Sequence, residues 1–365
     1  MSRNIIKSNN AIIAAQAATT AFSTYNKILK LHKIAQTFNY SIDYSRQQSK
    51  QIGSQELATN EIYNQPDVSL NISYIPEPNF SNEVQGRFLN STPKDEFKNM
   101  FDAGDSEDSI NFYVLVSENQ EDSFVDSIPF DTLASFSGDD AIAFGNCFPE
   151  SYSLSYAVGD LPKVNTSYIC SNVVFDNLTG TSMEMPAINM TGGNNDNVGR
   201  CSFGFTKDLS TSALEKSPPI VNPTNSGSDI TLQNLQVGGQ EISGKHLVQS
   251  VNMNVSMPRV SAYGLGNDYA FGRKRQFPAN GTFSVSSQVS GFESGAMTGV
   301  LDSDQLYQFD LTLEASGKTM IYRIEDAKLG SSNYSMDING RMNFDANFTF
   351  QVTQNKGLKL SGTYY

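Results

Sequence analysis

Two histidines, three cysteines and one run of acids are the side chains with which this sequence could build chemistry. His32 and His246 each stand just before an alternating, strand-like run. Either could act as a base, but no GxSxG, HExxH, phosphate-binding loop or dinucleotide fingerprint accompanies them. Nucleophilic catalysis needs a Ser or Cys beside its base, and their matching positions suit a structural role as well. Cys147, Cys170 and Cys201 show no metal-binding spacing, and their odd number argues against a disulfide framework. They read as reduced thiols, at least two of them facing a core. Asp102, Asp105, Glu107 and Asp108 offer calcium its preferred oxygens but lack the ligand order and turn glycine of an EF-hand loop. A solvated acidic loop fits better. The expectation is a protein without catalytic residues, metal or cofactor, and so not an enzyme.

The elements are more informative. The stretch "QTFNYSIDYSRQQSKQIG" at 36–53 aligns without gaps to "QSVNMNVSMPRVSAYGLG" at 249–266, an offset of 213 residues. Gln36 and Gln249, Asn39 and Asn252, Arg46 and Arg259, and Gly53 and Gly266 are identical pairs. In the first copy Phe38, Tyr40, Ile42 and Tyr44 alternate with polar residues; in the second Val251, Met253, Val255 and Met257 do so. A period of two predicts a strand with one buried face. Each strand is followed by an Arg, a polar loop reaching Pro66 or Pro278, and a further alternating run: Val68, Leu70 and Ile72, or Phe283 and Val285.

A second match sets "YSLSYAVGDLPKVNTSYIC" at 152–170 against "YSMDINGRMNFDANFTFQV" at 334–352, an offset of 182. Its last run places Met342, Phe344, Ala346, Phe348, Phe350 and Val352 on one face. The two offsets imply 31 extra residues in the first copy, an interval that holds "DAGDSEDS" and "ENQEDSFVDSIPFDTL". Two matches in the same order, with the strand period kept in both, predict an internal repeat. The predicted units are 1–175, with an N-terminal arm and an acidic insertion near 80–140, and 246–365, joined by a connector at 176–245 rich in Gly, Asn, Ser, Thr and Pro. About one short helix is expected in each unit. "TPKDEFKNMF" from Thr92 is the better candidate, with Pro93 in the first turn and acids at the positive end of the dipole. "NKILKLHKI" reads as a second short helix or as the entry to the first strand.

A chain of 365 residues with 38% hydrophobic side chains can bury two cores. Only 17% of residues are charged, so much of the surface is neutral and polar, which suits exposed β-structure. The net charge is −13, of which −11 falls between Lys94 and Asp140. Tight nucleic-acid binding needs the opposite balance. "NAIIAAQAATTAF" is interrupted by Gln and Thr, against a secretory signal, and no run reaches the length of a membrane span.

"GRKRQFP" holds the one dense basic cluster, Arg273, Lys274 and Arg275. It reads as an exposed loop tip, and complementary charge favours docking on the acidic segment of a neighbouring subunit.

The order strand, Arg, glycine-containing loop, proline, strand in "MNVSMPRVSAYGLGNDYAFGRKRQFPANGTFSVS" resembles the tube domain of bacteriophage tail tube proteins. "AFGNCFPESYSLSYAVGDLPKVNTSYICSN" is similar to it as well, and the resemblance covers about residues 30–175 and 245–355. The resemblance implies a mainly β fold with minor α: two tandem β-sandwich or barrel domains that close with their neighbours into a barrel ring. In some long-tailed phages two tube domains share one chain, and three chains make a ring of pseudo-sixfold symmetry. The implied partners are further copies of the chain, with the tape measure, terminator and distal tail proteins. The implied location is the virion tail, after assembly in the host cytoplasm, and DNA passes through the lumen without tight binding. Terminators and distal tail or baseplate hub rings share related folds and stay as alternatives. Another class is a surface β-sandwich that binds carbohydrate or mediates adhesion, although the chain has no Trp.

On this reading the loops at 46–65 and 259–278 stack one ring on the next. Arg46, Gly53, Arg259, Gly266, Arg273, Lys274 and Arg275 are the candidate contacts between rings or subunits. Arg46 and Arg259 either pair with a carboxylate of the next subunit or merely end the strand. Asn39, Ser41, Asp43, Asn252, Asn254 and Ser256 are the candidate lumen-facing residues.

Overall fold

The computed structural model describes residues 11–17, 30–31, 34–44, 46–50, 52–53, 55, 57–62, 67–77, 79–93, 96–101, 110–116, 140–157, 159–177, 182–186, 198–202, 230–237, 240–241, 246–262, 272–289, 306–315, 318–336, 342–353 and 356–362. The acidic run Asp102–Asp108, His32 and Gly266 lie outside them.

The architecture is mainly β and antiparallel throughout. A central sheet of eight strands runs β3 (Ala35–Asp43), β6 (Asp67–Tyr74), β10 (Lys163–Cys170), the second half of β9 (Asp140–Ala157), β16 (His246–Ser256), β19 (Ala279–Val289), β22 (Met342–Val352) and the second half of β21 (Lys318–Met336). The first halves of the two long strands leave it to join smaller sheets. β9 pairs there with β8 (Ile110–Val116) and β11 (Asn172–Asn177), and β8 continues to β1 (Ala11–Ala17) and β2 (Lys30–Leu31). β21 pairs with β20 (Tyr307–Ala315) and β23 (Leu358–Gly362); β20 leads to β14 (Ile230–Val237) and β15 (Gln240–Glu241), and β23 to β7 (Lys98–Asn99). Three hairpins stand apart: β4 (Arg46–Lys50) with β5 (Leu57–Ile62), β12 (Ser182–Pro186) with β13 (Val198–Ser202), and β17 (Arg259–Ala262) with β18 (Gly272–Arg275).

The layout of the first four central strands recurs in the last four, register included. Gln36 bulges out of β3 and Gln249 out of β16, so the identical glutamines hold identical places. Glu150 bulges in β9 and Gly330 in β21, opposite Ser167/Tyr168 and Asn347/Phe348. Where each long strand changes sheet, Asn146 (φ 47) and Asp326 (φ 55) adopt the left-handed conformation. Asn and Asp tolerate that region better than other non-glycine residues.

These bulges correct the second alignment. Equivalent residues of β9 and β21, and of β10 and β22, are 180 apart instead of 182, as Tyr168 and Phe348 show. A slip of two residues keeps every side chain on its face, so alternation alone does not detect it. The first half thus carries 33 extra residues rather than 31, split between the β6–β8 and β8–β9 connections.

The only helix among the described residues is α1 (Ser81–Gln85), where Asn79 Oδ1 accepts from the Ser81 amide at 3.1 Å. The helix expected from Thr92 is absent: Pro93 is buried and Lys98–Asn99 pair with β23, because the sheet edge supplies backbone partners that a local helix would forgo. Of "NKILKLHKI", Lys30 and Leu31 form β2, consistent with the entry reading. Aromatic and aliphatic side chains from both halves share one core, with Tyr152 and Phe88 in edge contact at 5.2 Å and Phe80 and Tyr322 at 5.6 Å.

Candidate functional site

Alternation divides the central sheet into an apolar face against the core and a polar face towards solvent. Val251, Met253 and Val255 are buried, while Asn252, Asn254 and Ser256 between them are exposed. Asn39, Ser41 and Asp43 are likewise exposed on β3 and continue the same face. Ser, Asn and Thr dominate it and bond across the strands. Ser41 meets Ser69 at 2.8 Å, Ser151 meets Ser167 at 2.6 Å, Thr37 meets Ser73, and Asn347 Nδ2 donates to Ser331 at 3.1 Å. Such pairs stabilise a sheet without charge. The face so formed is mostly uncharged, with Asp43, Asp67, Asp345 and Lys163 as scattered exceptions.

The core face is uneven. On β16 Val248, Val251, Met253 and Val255 are buried, but on β3 Phe38 and Ile42 are only half-buried and Tyr40 is 40% exposed, with Tyr44 beyond it at 55%. All four were expected in the core. The reason is position: β16 lies between β9 and β19, whereas among the described residues β3 pairs with β6 alone and ends the sheet. At the other end β21 pairs in the central sheet with β22 alone, and Tyr334 stays half-buried against Phe344, ring centroids 4.6 Å apart. Among the described residues of one chain the sheet is therefore open at both edges, not a closed barrel.

The candidate contact residues fall into two groups. Arg46 is exposed at the start of β4, and Ile52 and Gly53 (φ +89) form an exposed turn of that hairpin, a conformation glycine adopts without strain. Arg259 instead is held within the chain: its Nε donates to the Pro149 carbonyl at 2.8 Å and its Nη1 to the Arg273 carbonyl at 3.1 Å, over the Phe148 ring at 5.3 Å. The exposed basic tip is also corrected. Arg273 and Arg275 are 3% and 8% exposed on a strand, and Arg275 Nη1 donates to the Phe101 carbonyl. Only Lys274 of the three points out. Period two in Arg-Lys-Arg was the missed signal: one face carries both guanidinium groups, which stack on Phe148 and Phe101.

Among groups able to do chemistry, Cys147 and Cys170 are buried free thiols, and burial raises the Cys147 pKa well above its ordinary value. A residue that sequence reasoning missed is Glu83 of α1. It is fully buried, and its Oε1 accepts from the Tyr74 hydroxyl at 3.0 Å and the Tyr152 hydroxyl at 3.1 Å. Tyr152 in turn meets the Tyr322 hydroxyl at 3.1 Å, linking the two long strands. Burial pushes the Glu83 pKa up to about 7. Nothing in the local sequence marks this carboxyl, since its burial arises from strands far along the chain. Among the described residues no three His, Cys, Asp or Glu side chains cluster as a metal site, and no helix is long and apolar enough to cross a membrane.

No family model and no curated protein matches this chain. Solved structures with some likeness include the SPP1 tail tube, at 13% identity and a TM-score of 0.32 over 48% of this chain and 82% of that one. The tail of an empty gene transfer agent particle matches at 12% and 0.26, over 34% of this chain and 92% of that one. The virion of a native gene transfer agent particle matches at 14% and 0.23, over 36% and 95%. Likeness this remote brings no function with it.

Proposed function

We propose that the chain is a structural virion protein, a major tail tube subunit: three copies close into a pseudo-sixfold ring, and rings stack into a tube that conducts DNA. The observation that carries this reading is the central sheet, two four-stranded groups of the same order and register joined edge to edge, with the first edge of one group (β3) and the last edge of the other (β21) open among the described residues. Open edges invite pairing, and closure is the arrangement that removes them. Duplication within the chain then gives six equivalent places to three subunits. The polar face becomes the inner wall, neutral enough that a polyanion slides past instead of binding. The exposed Ile52 turn suits a contact between rings.

The test is electron microscopy of the purified protein over a concentration series, with the mass of the smallest assembly. Stacked hollow rings of three chains are expected. Single rings that never stack point to a terminator or distal ring, and persistent monomers overturn the reading in favour of a binding module.

A further inference from the structure

The junction inside the chain is a template for the junction between chains. Where β9 meets β16, Leu154 faces Met253 on the core side, and Ser153 faces Asn254 on the polar side. Each member of the first pair is 1% exposed. The residues in the same places on the free edges are Tyr334 and Tyr40, and both lack that cover: Tyr40 is 40% exposed where Met253 is 1%. Tyr44 is 55% exposed where Met257 is 2%. The difference lies in what covers each strand, since register and bulges agree in both groups.

We infer that β21 of one copy pairs antiparallel with β3 of a second copy in the register of the β9–β16 junction. This deepens the ring reading and rests on it. Tyr40 then lies opposite Tyr334, Asn39 opposite Ser335 and Ser41 opposite Asn333. Tyrosines meet on the core side, and serine and asparagine continue the neutral wall on the other. Two backbone features of the template carry over. The Met257 amide donates to the Glu150 carbonyl at 2.7 Å, and Arg259 Nε to the Pro149 carbonyl. The equivalents set the Tyr44 amide on the Gly330 carbonyl of the next copy, and Arg46 on its Leu329 carbonyl. The contact is heterologous, one edge against the other, and its repetition makes a ring where the rotation closes, as the ring reading requires.

The test is disulfide trapping in the full chain with Cys201→Ser, using S41C/N333C as the matched pair and S41C/S331C and S41C/S335C as pairs slipped by two. Directly opposed side chains come within disulfide reach, whereas diagonal neighbours are about 7–8 Å apart. All four positions are exposed, so the substitutions spare the core. Oxidation of assembled protein should shift most of the matched pair into covalent multimers, several-fold more than either slipped pair, with single-cysteine controls left as monomers. Stronger trapping of a slipped pair, or none in rings that microscopy shows to be intact, overturns this register and leaves the ring reading standing. A chain that never forms rings overturns both.

Discussion

Arg259 fastens the base of its hairpin to a strand of the other group, its Nε donating to the Pro149 carbonyl at 2.8 Å. Hydrogen bonds from a charged donor are worth about 2 kcal/mol when removed. Arg259→Ala should therefore destabilise the monomer by about 2 kcal/mol in urea unfolding, and Arg259→Lys should recover little because a lysine lacks the planar fork. The same change at exposed Arg46 should cost the monomer clearly less and raise the concentration needed for rings. Equal effects at the two arginines in both assays would show that their places are not distinguished by a missing neighbour.

Much of this arrangement was legible in the sequence. Alternation identified the buried faces of β16 and β22, where Met253, Val255, Phe348 and Phe350 all lie in the core. The ungapped alignment of 36–53 with 249–266 paired Gln36 with Gln249, and both bulge at the same place. Alternation misjudged Tyr40 and Tyr44 because burial of a strand face depends on neighbours that period two does not report. The offset of 182 was off by two for the same physical reason, since only a bulge such as Glu150 or Gly330 fixes a register that alternation leaves free. Glu83 was invisible, its pocket being assembled from Tyr74, Tyr152 and Tyr322.

Glu83 predicts an inverted pH dependence. Its carboxyl rises from 4.5 to about 7 in the folded chain, chiefly through burial, against which the tyrosine hydrogen bonds act. Between those values the folded state holds a proton that the unfolded state has released, so this group's contribution falls as pH rises from 4.5 to about 7 and is flat above. Glu83→Gln keeps the shape and removes the titration. The variant should gain on the parent by a few kcal/mol across that window, measured as the difference between their urea midpoints at each pH. A constant difference would mean that Glu83 does not titrate there.

A volume exchange distinguishes the two groups of strands. Gly281 lies opposite Phe350 in the second, and a Cβ added to it would meet the Phe350 ring at 2.3 Å. Val68 and Cys170 hold the equivalent places in the first. Gly281→Val should cost about 3 kcal/mol by overpacking, and Phe350→Cys a similar amount through the cavity it leaves. The double variant recreates the first group's pair and should lose clearly less than the sum, a coupling of at least about 1 kcal/mol in a double-mutant cycle. Strict additivity would mean that the two sites do not share this space.

On the proposed reading DNA passage depends on the largely uncharged polar face, and that face can be given positive charge without touching the core. Asn39 and Asn252 occupy equivalent exposed positions on β3 and β16, so replacing both by lysine adds two cations per chain to the same face. In a ring of three chains all of them converge on the lumen. Assembled parent tubes should retain no short DNA duplex at moderate salt, whereas Asn39→Lys/Asn252→Lys tubes should retain it, with an affinity that falls steeply as salt rises because bound counterions are released on contact. Two lysines placed instead at Val260 and Gln276, both exposed at the β17–β18 hairpin, serve as the comparison. Retention that depends on added charge but not on its face would place the polar wall outside the tube and remove the argument that its neutrality serves passage.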